Sequence, residues 1–324
     1  MKRVLMTDRI HPIGHATLEA RDDIDVVVAE DSSPETLARL IPGVHGIAVR
    51  TAILTEDLLA LSDDLEVVSR HGVGCDNIAV EYMTSRQIPV CIAAGANARC
   101  VAEHTMTMML SLARDMTAQT QAVRDGRWDR RNEFSAKDLY RSKVLIVGYG
   151  RIGRLLAPLC KAFGMDVVVA DIALDRDLAA QQGVRAVEDF RPELADADFV
   201  SLHVPLDATT HHLIGPDELA AMKDGVILIN NARGGVVDEA ALAAALDSGK
   251  VAGAGVDVFS DEPPTADHPL VRHPRTVLAP HNGAASALSL EAAARMTAQN
   301  ILDTFDGVLK DEMIFNLAGL RQGG

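Results

Sequence analysis

Residues 143–171 read KVLIVGYGRIGRLLAPLCKAFGMDVVVAD, from Lys143 to Asp171. A short apolar run, Val144–Val147, leads directly into Gly148-Tyr149-Gly150-Arg151-Ile152-Gly153. An amphipathic segment follows, and a β-branched run, Val167–Val169, ends on Asp171. Strand, glycine-rich turn, helix, strand and acid in that order form a dinucleotide-binding fingerprint. The first glycine permits a tight turn, the second lets the backbone approach a pyrophosphate, and the third lets the helix pack on the strand. Unpaired N–H groups and the positive dipole end at the helix start suit phosphate. Asp171 lies 18 residues beyond Gly153, where an acid grips a ribose 2′-hydroxyl. A carboxylate there repels a 2′-phosphate, so the expected cofactor is NAD rather than NADP.

Working outward, the first hundred residues also alternate strands and helices. Strands are expected at Val4–Thr7, Val26–Ala29, Gly46–Val49, Val67–Ser69 and Pro89–Ile92. Helices are expected at Pro12–Ala20, Pro34–Leu40 and Thr55–Leu61, the last with Thr55 as N-cap. This alternation predicts a second α/β domain with a parallel sheet covered on both faces. Beyond the fingerprint, strand signals recur at Phe199–His203, Val226–Asn230, Ala254–Val258 and Thr276–Ala279, with helices at Leu213–Met222 and Glu239–Ser248. Cys100–Gln121 reads as one helix of about six turns with a methionine-rich packing stripe. Another helix is expected at Ser286–Phe305. The fold class is therefore α/β, with two doubly wound, Rossmann-like parallel sheets. The expected domains are residues 1–99 plus 285–324, and residues 100–284.

The chain's 324 residues are enough for about two domains. Apolar residues make up 48% and charged residues 24%, a globular balance. The net charge of −15, from 31 basic and 46 acidic residues, argues against nucleic acid or an anionic membrane as partner. An anionic substrate would then require a locally basic pocket. MKRVLMTDRI has no extended apolar core of a signal peptide, and no run approaches the ~20 apolar residues of a membrane helix. Cys75, Cys91, Cys100 and Cys160 show no CxxC spacing and read as reduced thiols, without metal. The expectation is a cytoplasmic protein.

Three later segments fall just after expected strands, where doubly wound sheets place ligands. ILINNARGGVVDEAAL carries Arg233, GAGVDVFSDEPP carries Asp257 and Glu262, and TVLAPHNGAAS carries His281. Singly, these are ordinary: a surface ion pair, a solvated loop acid, a turn histidine. Together they supply what reduction of a 2-oxo acid needs. A guanidinium holds the carboxylate with paired hydrogen bonds, and an imidazole delivers the hydroxyl proton. A neighbouring carboxylate fixes the imidazole tautomer and raises its pKa.

These motifs resemble those of the D-isomer-specific 2-hydroxyacid dehydrogenases over nearly the whole chain. GYGRIG with Asp171, HVPL at His203–Leu206, NNARGGVVDEAAL, GVDVFSDEPP and APHNGAAS occur in the family's order and spacing. The resemblance implies a discontinuous substrate-binding domain, a cleft between the domains, and a homodimer through the nucleotide domains. It implies catalytic roles for Arg233, Glu262 and His281. It implies cofactor contacts at Gly148, Gly150, Arg151, Ile152, Gly153, Asp171, Val204, Pro205, Asn231, Ala232, Asp257, Gly283 and Ala284.

Within the family the chain looks most like phosphoglycerate dehydrogenases, through GIAVRTAILTEDLL, VVSRHGVGCDNIAVE and GRWDRR. That likeness assigns Arg50, Arg70 and Arg130 (or its neighbour Arg131) to the substrate phosphate, Arg130 from across a dimer beside Trp128. Val73 and Gly74 would line the carboxylate end. Two departures stand out. His71 replaces the small residue usual after the arginine, so it is a candidate specificity residue for a sulfonate, a second carboxylate or an uncharged acid such as hydroxypyruvate. The chain also carries no regulatory domain after Gly324, so serine feedback is not expected. The expected substrate is a small anionic 2-hydroxy or 2-oxo acid, first 3-phosphoglycerate/3-phosphohydroxypyruvate, with a hydroxypyruvate/glyoxylate or sulfolactate-type acid as the alternative. An NADH-sensing, corepressor-like binding protein is the alternative of a different class.

Overall fold

Valine- and isoleucine-rich runs of strand length bury both faces only when helices cover each side of the sheet they form. The computed structural model describes residues 1–133 and 136–321. It divides into two compact units, Met1–Asn97 with Ala285–Gly324, and Ala98–Ala284. The first unit begins with β1 (Lys2–Met6), α1 (Pro12–Glu19), β2 (Ile24–Val28), α2 (Pro34–Leu40) and β3 (Gly46–Val49). It continues through α3 (Glu56–Leu59), β4 (Val67–Arg70), α4 (Val80–Ser85) and β5 (Val90–Ile92). The strands pair in parallel in the order β2-β1-β3-β4-β5. Leu5, Ile47, Val68 and Val90 enter one core while Val4, Ala48, Val67 and Cys91 enter the other, the period-2 alternation of a sheet covered on both faces. Helix starts follow their side chains. Ser33 accepts the Thr36 N–H at 3.3 Å with Pro34 in the first turn, and Thr55 accepts the Leu58 N–H at 3.4 Å. Strand order reverses between β1 and β3, so Asp8 and Arg50 stand at the switch point of this unit.

The second unit opens with α5 (Ala98–Ala113) and α6 (Met116–Arg124). One continuous helix was expected here; instead the chain breaks at Asp115, which adopts φ +49°. Aspartate tolerates this left-handed conformation better than most residues, and its carboxylate then receives Arg130. The sheet comprises β6 (Lys143–Val147), β7 (Asp166–Ala170), β8 (Arg185–Val187), β9 (Phe199–Leu202), β10 (Val226–Asn230), β11 (Val251–Val256) and β12 (Thr276–Leu278). Helices α7 (Gly153–Ala162), α8 (Arg176–Gln182), α9 (Pro216–Ala221), α10 (Glu239–Ser248) and α11 (Pro269–Arg272) connect them. All pairs are parallel, in the order β12-β11-β10-β9-β6-β7-β8. Leu145, Val147, Val168 and Leu228 pack to one side, and Val144, Ile146, Val167 and Ile229 to the other. Order reverses between β6 and β9, which sets the glycine-rich turn and the His203-Val204 segment side by side. Pro158 lies inside α7 and has no N–H for the Arg154 carbonyl; Gln182 donates to that carbonyl instead at 3.0 Å.

The chain then returns to the first unit through α12 (Ala287–Phe305), capped by Ser286, and α13 (Leu317–Leu320). Asn300 on α12 donates to the Ile92 carbonyl at 3.0 Å. Near the end of the described chain, Asn316 accepts the Val90 N–H at 2.9 Å and donates to Thr84 and Ile88, each at 3.0 Å. These bonds satisfy backbone groups at the two ends of β5 that burial would otherwise leave unpaired.

Candidate active site

The glycine-rich turn is shaped by how little room it leaves. Gly148 has φ +100°, and a Cβ there would lie 2.4 Å from the His203 carbonyl oxygen. A Cβ on Gly153 would lie 2.2 Å from the Gly148 carbonyl oxygen. Gly150 is different: apart from its two chain neighbours, no atom of the described residues lies within 4 Å of its Cβ position. Two glycines therefore serve the packing of strand and helix, and the third leaves open space over the turn. Asp171 accepts the Tyr149 N–H at 2.6 Å through one oxygen and the Ala173 N–H at 2.8 Å through the other. Its carboxylate is thereby fixed beside the turn, with acceptor capacity remaining on both oxygens. Arg151 is exposed, and Ile152 leads into the first turn of α7.

Further along the same edge, Val204 and Pro205 follow β9, Asn231 and Ala232 follow β10, and Asp257 follows β11. Two buried polar atoms here have no protein partner, Asn231 Oδ1 and His203 Nδ1. The Asn231 amide is anchored through its other end, donating to Thr105 at 2.9 Å. His203 Nε2 meets the Ser201 hydroxyl at 2.8 Å, and burial pushes the imidazole down to about 4, so it stays neutral. An open glycine turn, a fixed carboxylate beside it and unpaired buried polar atoms along one strand edge fit a dinucleotide.

At the far end of the same edge the ionisable groups meet. His281 Nδ1 lies 2.7 Å from Glu262 Oε2. The other Glu262 oxygen accepts the Phe259 N–H at 3.0 Å, so the carboxylate is held at both ends. With Nδ1–H donated to glutamate, Nε2 is the nitrogen left to exchange a proton with a ligand. The pair is about half exposed, with side chains 46% and 38% accessible. His281 takes φ +49°, a conformation rare outside glycine. Its backbone is clamped from β11: the N–H groups of His281, Asn282 and Gly283 donate to Asp257 O, Oδ1 and Oδ2 at 2.8, 2.9 and 2.9 Å. Sequence reading placed Asp257 only among cofactor contacts; its carboxylate also builds the turn that carries His281.

Arg233 begins the loop after β10. Its guanidinium donates to the Ala232 carbonyl at 2.7 Å, and its own carbonyl accepts the Asn230 amide at 2.9 Å. The loop is pressed against the Glu262 segment, since a Cβ on Gly234 would fall 1.9 Å from the Phe259 carbonyl carbon. Any side chain at position 234 would separate Arg233 from the loop after β11 that positions Glu262.

The expected substrate residues of the first unit lie at the carboxyl ends of β3 and β4. Arg50 follows β3 beside a hollow of about 230 Å³ lined also by Thr7, Asp8, Arg9 and Thr51. Asp8 organises this corner, accepting the Arg50 and Thr51 N–H groups at 2.9 and 3.1 Å. Those bonds and the Thr51 and Thr7 hydroxyls outweigh the effect of burial and hold its carboxyl below the usual range. Arg70 is committed within its own loop, donating to His71 O at 2.8 Å and Asn77 at 3.2 Å. His71 is buried, with Nε2 3.4 Å from the Leu290 carbonyl. Burial, and then the Arg50 charge, lower its pKa, so it adds no positive charge near neutrality. Val73 and Gly74 are half-buried in the following turn. Arg130, in the second unit, pairs with Asp115 and with Glu133 at 2.8 Å.

The family model described as "D-isomer specific 2-hydroxyacid dehydrogenase, NAD binding domain" matches residues 106–283. A D-3-phosphoglycerate dehydrogenase of Methanocaldococcus jannaschii is 36% identical over 323 residues, 99% of this chain and 61% of that protein. The chain thus spans about three fifths of the length of that relative. A hydroxypyruvate reductase of Thermotoga maritima is 35% identical over 88% of this chain and 92% of its own. Among solved structures, the D-lactate dehydrogenase of Aquifex aeolicus, complexed with NAD and lactic acid, matches with a TM-score of 0.83 and 28% identity over 95% of this chain and 96% of that one.

Proposed function

Starting from a chain that belongs to the D-isomer-specific 2-hydroxyacid dehydrogenase family, we propose that it is an NAD-dependent oxidoreductase interconverting a 2-oxo acid and its D-2-hydroxy acid. The observation that carries this reading is the His281–Glu262 contact of 2.7 Å at the end of a dinucleotide-binding sheet edge. Bound NADH supplies the hydride. Arg233 holds the substrate carboxylate through its planar fork and polarises the adjacent carbonyl. His281 Nε2 gives a proton to the carbonyl oxygen as it becomes a hydroxyl, while Glu262 steadies the imidazolium that precedes the transfer. In the oxidative direction the same nitrogen takes the proton. Gly150, Arg151 and Ile152 face the pyrophosphate over a turn that Gly148 and Gly153 keep tight, with Asp171 at the ribose and Asn231, Ala232, Asp257, Gly283 and Ala284 at the nicotinamide end. The unit holding Arg50, Arg70, His71, Val73 and Gly74 is the substrate-binding domain.

The substrate supported best is 3-phosphohydroxypyruvate, with Arg50 receiving the phosphate and Arg70 shaping the loop beside it. Hydroxypyruvate is the second reading, favoured by the similarity to the Thermotoga reductase and by the neutral His71. Initial rates of NADH oxidation with the two acids in parallel separate them. A strong preference for the phosphorylated acid, reduced by Arg50→Ala, supports the first; preference for hydroxypyruvate supports the second. Turnover of neither would remove both. The protein is proposed to act as a cytoplasmic homodimer, and Trp128, 65% exposed beside Arg130, reports dimer formation by its fluorescence.

Arg233→Lys is expected to raise the KM for the oxo acid by about 10²-fold, because an ammonium ion cannot form two parallel hydrogen bonds and loses roughly 2–3 kcal/mol. Steady-state kinetics check this, and a near-normal KM would take Arg233 out of the carboxylate role.

A further inference from the structure

Asp257 is only 3% exposed, and its two carboxylate oxygens hold the N–H groups of Asn282 and Gly283. A buried carboxylate needs its orientation fixed, because each of those bonds is directional. On its other side stands His104 of α5, with Nε2 3.8 Å from Asp257 Oδ1. That separation is longer than a hydrogen bond, and the nitrogen, itself buried, has no hydrogen-bond partner. The His104 ring also closes over the turn. A Cβ on Gly283 would lie 3.1 Å from His104 Cδ2 and 2.8 Å from Asp257 Oδ2, so position 283 is wedged between ring and carboxylate. The next residue on the helix repeats the arrangement one strand away, where the Thr105 hydroxyl accepts the Asn231 amide at 2.9 Å. Successive residues of α5 thus address the ends of β11 and β10. Neither residue belongs to the groups that the reaction itself calls for.

We propose that His104 is a positioning residue for the His281 turn: its ring packed over Gly283 and its Nε2–H facing Oδ1 keep the Asp257 carboxylate in the orientation that clamps Asn282 and Gly283. The backbone clamp then keeps His281 in its left-handed conformation and its Nδ1 on Glu262. This inference rests on the reading of His281 as the proton carrier, but the clamp itself can be measured without turnover.

The test compares the full chain with His104→Leu, which keeps bulk over Gly283 but no N–H, and His104→Gln, whose amide N–H reaches the place of Nε2–H. The first readout is amide hydrogen exchange across residues 280–285 without cofactor. Exchange in the leucine variant is expected to be about tenfold faster than in the wild type, at a little-changed melting temperature, and glutamine restores protection. The second readout is kinetic. In the leucine variant kcat should fall by about 10²-fold with the KM for the oxo acid little changed, as a small misplacement of the proton carrier would cause, and glutamine should recover most of it. Unchanged exchange and kcat in the leucine variant overturn the proposal. So does equal loss in both variants accompanied by a fall in melting temperature, which would make His104 a packing residue. If the wild type turns over no oxo acid while the exchange contrast holds, the dehydrogenase reading fails and the clamp stands.

Discussion

Replacing His281 with alanine will abolish turnover of any 2-oxo acid while NADH still binds close to wild-type strength. A positioned general acid contributes about 10²- to 10⁴-fold to such a reaction, and His281 is the imidazole held on Glu262. The turn should survive the loss of the ring. Its backbone is fixed by three N–H groups that donate to Asp257, and none of these bonds uses the His281 side chain. The φ of +49° at this position carries a strain that histidine and alanine both bear through their Cβ. His281→Asn lessens it, because asparagine accepts left-handed backbone and carries no titratable nitrogen. Both variants should lack activity and both should quench with NADH in a fluorescence titration. Loss of NADH binding in the asparagine variant would make His281 a structural residue of the turn and remove it from proton transfer. Glu262 should then be the milder position, since its role is to orient and stabilise the imidazole rather than to carry the proton.

What the sequence reveals of this molecule follows how local each cause is. Both parallel sheets were legible because their strands are apolar runs separated by capped helices, and period and caps act over a few residues. Ser33, Thr55 and Ser286 each mark a helix start by a bond to a residue three positions on. The edge strand β8, Arg185–Val187, was missed, since three residues with an exposed arginine carry no pattern. The break at Asp115 was also missed. The apolar stripe runs on past it, and what ends the first helix is a left-handed residue whose carboxylate is taken by Arg130 fifteen positions later. In the site, glycine spacing and the Asp171 offset are local signals and pointed directly to the turn. The pairing of His281 with Glu262 spans nineteen residues and two strands, so it was reached through resemblance rather than through spacing. The clamp by Asp257 and the approach of His104 were invisible. The clamp joins residues about 25 positions apart, and His104 comes from a helix more than a hundred residues before the turn. The withdrawal of His71 into its unit was equally hidden, because a histidine after an arginine reads as a pocket residue until burial is known.

The three glycines of the turn allow cofactor binding to be separated from folding, and the second large effect is expected there. Gly153→Ala would drive a Cβ to 2.2 Å from the Gly148 carbonyl oxygen and 3.3 Å from Ile146, so α7 must move off β6. Overpacking against backbone should cost about 3 kcal/mol or more and lower the melting midpoint by roughly 10 °C. NADH binding should fail along with it, because the helix N-terminus no longer faces the turn. Gly150→Ala asks the opposite question. Its backbone is not left-handed and its Cβ position is open, so the apo protein should melt as the wild type does. The added methyl would occupy the space through which a pyrophosphate must approach the backbone. NADH affinity should therefore fall by about 10²-fold or more, equivalent to roughly 3 kcal/mol. Thermal melts without cofactor and fluorescence titrations with NADH distinguish the two variants. If Gly150→Ala binds NADH normally, the open space above the turn is not where the phosphates lie. The fingerprint would then describe how β6 and α7 pack and nothing about what they hold.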